Sequence, residues 1–180
     1  MLLSLILPII LSGVALFFAS FLSWMVLKLH KDDWAKLQKE EELMAAVASC
    51  DIPQGSYMFP CANSPEEMQS EAFQKRYDAG PRGVITILPK VNMGMNLGLT
   101  ALYYLAVSFF LGYLASLALK PGADFLSVFR FVFTAGFLAL LAALVPQAIW
   151  FRPRIVGHVI DSVVFAAIAA VLFAALWPSA

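Results

Sequence analysis

His158 and Asp161 stand three residues apart inside an otherwise apolar stretch, Ile155–Trp177. Three residues is close to one helical turn, so both side chains share one face. An imidazole beside a carboxylate in apolar surroundings can pass a proton or hold a polar ligand, and an ionisable residue within an apolar span is a functional candidate by default. Gln147 follows Pro146 near the end of the preceding apolar stretch, and the turn that follows is short, so Gln147 returns to the depth of His158. Asn96 and Thr100 enter a third stretch from the same end. Asn96, Thr100, Gln147, His158 and Asp161 therefore make up the candidate intramembrane polar cluster. Two roles fit it. In one, Asp161 titrates with His158 as its partner; in the other, the five residues are a hydrogen-bonded clasp between helices, with His158 also able to reach headgroups. Arg130 lies about fourteen residues from the level of Asp161 at 1.5 Å each, too far for an ion pair, and is expected to snorkel to the opposite headgroups.

These residues are positioned by four long apolar runs, Leu2–Leu27, Leu97–Leu119, Phe125–Trp150 and Ile155–Trp177. A helix needs about 20 mostly apolar residues to cross a bilayer, and each run has them. The composition agrees: 61% of the 180 residues are hydrophobic, with a mean hydropathy of +0.80, against roughly 45–50% apolar residues in a soluble domain. The first run lacks the basic start and small-residue cleavage site of a secretory signal, so it is expected to stay as a span. Small residues at intervals of four, Ala135/Ala139/Ala143 and Ala166/Ala170/Ala174, with Gly94 and Gly98, allow close helix approach. They predict packing within one chain or a seam between copies.

Charge placement predicts orientation. Lys28, Lys31, Lys36 and Lys39 follow the first run, Arg82 and Lys90 precede the second, and Arg152 and Arg154 lie between the third and fourth. The other side of the membrane holds Lys120 in its one short turn. Basic loops stay in the cytoplasm, and the ten acidic residues of the long segment weigh little in that rule. The long loop is thus cytoplasmic and both termini outside.

Segment 28–94 is the one extended polar region. Lys39–Ser49 reads as a short amphipathic helix with glutamates in its first turn, favoured by the helix dipole. Ser64-Pro65-Glu66-Glu67 is a helix start, with a capping Ser, Pro at the first helical position and Glu at the third; this helix should run to Asp78 and stop at Gly80-Pro81. Ser56–Phe59 and Gly83–Leu88 read as strands that pair with that helix between them. Tyr57, Met58 and Phe59 form a candidate docking surface unless they are covered by the segment's own helix or by the bilayer. Met58→Asp would separate these cases, by loss of a complex or by general instability.

Familiar catalytic signatures do not occur: there is no phosphate-binding glycine loop, nucleophile elbow or HExxH helix. Glutamate does not occur in the apolar runs, which leaves a di-metal carboxylate bundle unsupported. Cys50 and Cys61 match no common zinc spacing, and two histidines are few to complete a site, so no metal and no cofactor are expected; in a reducing cytoplasm the cysteines stay free thiols. The zero net charge carries no basic excess for nucleic acid.

Asp33-Trp34, Tyr57-Met58-Phe59-Pro60, Gly83-Val84, Asn92-Met93-Gly94 with Asn96-Leu97, and Ala148-Ile149-Trp150-Phe151 together resemble a family of small uncharacterised bacterial four-span inner-membrane proteins. The likeness covers nearly the whole chain, though each motif is short. It implies a bacterial inner-membrane location and a four-span layout, and brings no activity and no functional residues.

The expected fold class is an all-α membrane protein: a four-transmembrane-helix bundle, with helix 1 in residues 1–27, a small cytoplasmic α+β cap in 28–94, and helices 2–4 in 95–180. The expected role is that of a non-enzymatic accessory or scaffold component. Its partners would be the lipid bilayer and a membrane protein or further copies of itself. The alternative is a small oligomeric proton-coupled transporter or channel built on the polar cluster. A lipid-modifying enzyme is a third, weaker reading.

Overall fold

The computed structural model describes residues 1–179. The chain is mostly helical, with four helices long and apolar enough to cross a membrane and one small two-stranded sheet. Contacts divide it into two units, residues 1–35 with 93–180, and residues 36–92.

In the first unit, a 3-10 turn over Leu2–Leu5 leads into α1, Ile6–Phe21, which widens into a π-helical turn at Leu22–Val26. The second long helix, α5, spans Met93–Ala118 and starts four residues before its apolar run. The third is broken into α6, Phe125–Leu141, and α7, Leu144–Phe151. Pro146 accounts for the break, because it has no N–H to give the Ala142 carbonyl and its ring crowds that group. Arg152, in a left-handed conformation at φ 57°, ends α7, and α8 then runs Val156–Ala175.

Helix pairing is α6 on α8, α1 on α5 and α1 on α8. One buried cluster joins Leu5, Ile9, Leu111, Val128, Val132 and Phe173, and a smaller one joins Leu16, Tyr104 and Phe165 nearer the start of α8. The alanines of α8 are used as their spacing predicts, with Ala166, Ala170 and Ala174 all buried. The facing stripe on α6 is Val128, Val132 and Gly136, while Ala139 and Ala143 are exposed. The period of four is kept but its phase differs, and Gly136 packs against Ala166, where an added Cβ would make ordinary contact 3.5 Å from Ala166 Cα. Asp124 caps α6, accepting from the backbone N–H groups of Leu126 and Ser127 at 3.0 Å each. Hydrogen bonds from Ser127 hold its carboxyl below the usual range.

In the second unit, α2 covers Glu40–Ser49. Strands β1, Gly55–Phe59, and β2, Gly83–Ile87, are antiparallel and pair Met58 with Val84 and Tyr57 with Ile85. The helix expected from Ser64 to Asp78 is two helices, α3 (Pro65–Gln69) and α4 (Glu71–Ala79). Ser70 divides them: its backbone is extended and its hydroxyl accepts from the Phe73 N–H, restarting the helix as Ser64 started the first. Gly80, at φ 64°, stops α4 in a conformation that favours glycine.

Candidate functional site

The π turn and the residues after it shape the polar end of the first unit. Lys28 adopts a left-handed conformation, φ 52°, and the chain doubles back, with the Leu29 N–H bonded to the Ser23 carbonyl at 3.1 Å. The Asp33 N–H bonds the His30 carbonyl at 3.1 Å, closing a second turn. His30 is thereby folded back onto Trp24, their rings stacked with centroids 4.0 Å apart, and its side chain is almost wholly buried.

Across from it, α8 begins with Gly157, His158 and Asp161. Asp161 accepts a hydrogen bond from the Ser23 hydroxyl at 2.6 Å on one oxygen, and its other oxygen is hydrogen-bonded with His30 Nε2 at 3.0 Å. Both bonds are buried. His30 Nδ1 lies 2.7 Å from Asp33 Oδ2. His158 Nε2 points at the same Asp33 oxygen from 3.5 Å, and the two imidazoles have centroids 4.6 Å apart. Gly157 makes the approach feasible, since a Cβ there would sit 2.9 Å from His30 Cε1 and 3.2 Å from the Leu29 carbonyl oxygen. Arg154 and Asp32, 3.9 Å apart, flank the cluster at the surface.

Of the five residues read from the sequence, the structure places His158 and Asp161 in this cluster. Asn96 and Gln147 are exposed, and the Thr100 hydroxyl is bonded to the Asn96 carbonyl along its own helix at 2.8 Å. The partners of Asp161, Ser23 and His30, come from the first span and the turn after it, and Asp33 joins the cluster through His30. A sequence signal for them exists. The chain has two histidines, and each begins the same pattern, His30-x-x-Asp33 and His158-x-x-Asp161. The pairing is crosswise, with His30 reaching Asp161 and His158 facing Asp33.

The second candidate surface is split by strand alternation. Met58 is exposed and lies opposite the equally exposed Val84, beside a hydroxyl pair, Ser56 and Thr86, at 3.1 Å. Tyr57 belongs to the other face and donates to the Pro53 carbonyl at 3.0 Å. The Phe59 ring covers Gly83, where a Cβ would sit 2.9 Å from Phe59 Cζ.

Chemically, the histidine–aspartate cluster offers two carboxylates, two imidazoles and a hydroxyl in a poorly hydrated setting. Such a group can relay a proton, bind a cation or tie α1 to α8. No protein-family model, curated protein or solved structure matches this chain.

Proposed function

We propose that this chain is a multi-pass protein of a bacterial cytoplasmic membrane, a four-helix bundle with segment 28–94 as a cytoplasmic cap and both termini outside. Its role is that of a non-enzymatic accessory component, which binds another membrane component through the cap. One observation carries this reading. Among the described residues of 36–92, Phe73 alone is buried. Met44, Met58, Met68, Val84 and Leu88 are each exposed by about half or more of their surface. Surface aliphatic and methionine side chains at this density suit a contact face, and methionine adapts to irregular partners. The basic residues around the spans support the orientation, and the family resemblance motivates the bacterial location.

The test is gentle extraction, affinity isolation and native mass measurement of the assembly, for wild type and Met58→Asp. A stoichiometric foreign subunit, lost in Met58→Asp while the variant's melting temperature stays unchanged, is the expected result. A bare monomer or a pure homo-oligomer would overturn the accessory role.

A further inference from the structure

His30 is held between two carboxylates, with one ring nitrogen against each. In the tautomer with its hydrogen on Nε2, His30 donates to one oxygen of Asp161, whose other oxygen accepts from Ser23. In a neutral imidazole the other nitrogen, Nδ1, then presents a lone pair. That lone pair faces a carboxylate oxygen, Asp33 Oδ2, at 2.7 Å. Two lone pairs at this distance repel unless a positive charge joins them. A second proton on the ring would do so, but it leaves the third group unexplained. His158 Nε2 also converges on Asp33 Oδ2, at 3.5 Å, too long for a hydrogen bond.

We propose that His30 Nδ1, Asp33 Oδ2 and His158 Nε2 form a binding site for a divalent transition-metal ion of the zinc class. The three atoms lie within 4.8 Å of one another. Metal–ligand bonds of about 2.0–2.2 Å separate tetrahedral ligands by roughly 3.3 Å, so the widest separation must close by about 1.5 Å, shared between the two side chains, to complete the geometry. The donor set, two imidazoles and one carboxylate, suits such an ion and keeps a fourth position for water. Asp161 fits the arrangement, because a metal-binding histidine characteristically gives its other N–H to a carboxylate that fixes its orientation. Ser23 holds that carboxylate in turn. Charge also balances: a divalent cation with two neutral imidazoles offsets Asp33 and Asp161. The ion has a way in, since the His158 side chain is about one-third exposed while that of His30 is covered. The inference does not depend on the accessory role proposed above.

The experiment uses the full chain, without a polyhistidine tag, in detergent micelles, stripped with chelator and titrated with Co2+ followed by Zn2+. The expected result is one equivalent of Co2+ per chain with visible ligand-field bands, displaced by Zn2+. His158→Gln removes one donor and leaves the Ser23–Asp161–His30 bonds in place, so it should keep the metal-free melting temperature and weaken binding at least about tenfold. Asp33→Asn is the second variant, read in the same way. A folded wild type that takes up neither ion would overturn the site, as would Co2+ affinity unchanged in both folded variants. Because neither readout involves a partner protein, failure here is distinct from failure of the accessory role.

Discussion

Asp161 concentrates the consequences at the residue scale. Its two oxygens meet two buried side chains, the Ser23 hydroxyl and the His30 ring, so replacing it with Ala leaves both without their partner. A buried group left without its partner costs about 1–3 kcal/mol, and Asp161→Ala should lower the melting temperature accordingly, whereas Asn96→Ala and Gln147→Ala should leave it unchanged. In reconstituted vesicles Asp161→Asn, which keeps a hydrogen-bonding group in place, separates the alternative role: a proton-coupled transporter would lose flux with assembly intact, and unchanged flux removes Asp161 from any transport mechanism. His158 and Asp161 were legible in the sequence because polar groups stand out in an apolar run. His30 and Asp33 were not, because they lie past the end of a span. Their return to it depends on a left-handed lysine, Lys28, a residue type that gives no sign of such a turn. Gln147 and Asn96 were assigned by depth alone, and depth does not say which way a side chain faces.

The helices carry their own tests, at glycines whose surroundings differ. A Cβ on Gly13 would lie 2.6 Å from Leu105 Cδ2 and 3.0 Å from Leu105 Cα, so α1 and α5 touch where the side chain is missing. A Cβ on Gly98 meets nothing within 4 Å. Gly13→Ala should therefore destabilise by about 1–3 kcal/mol, while Gly98→Ala should be neutral or stabilise by up to about 1 kcal/mol through helix propensity. Thermal melts of the two variants in one detergent check this, and equal effects would contradict the α1–α5 crossing. Four span-length helices and two strands were readable from hydrophobic runs and turn residues, since both follow from local composition. The division at Ser70 was not, because a serine within a helical pattern does not reveal whether its hydroxyl faces solvent or restarts the helix. The exchange of Ala139 for Gly136 on the α6 stripe was likewise hidden: small residues at intervals of four permit contact without saying which set is used.

At the scale of the whole molecule, the proposed orientation can be read with the protein's own thiols. Cys50 and Cys61 are free and exposed, and both lie in segment 28–94. A membrane-impermeant maleimide should label them in inside-out vesicles and leave them unlabelled in right-side-out spheroplasts. Labelling from the outer face would reverse the topology inferred from the basic residues. Residues 36–92 form a unit of their own in which, among the described residues, Phe73 alone is buried, while the sequence reads 28–94 as one polar segment too short for a large core.

The bond between His30 and Asp161 joins residues 131 positions apart. On the ribosome, the first span and its polar turn emerge on the order of ten seconds before the carboxylate that completes them. During that interval the nascent chain carries an unfinished histidine and serine at the end of its first span. The arrival of α8 therefore completes this cluster. A chain that fails to insert α8 would leave the Ser23 hydroxyl and the His30 ring without the carboxylate that each meets in the folded protein.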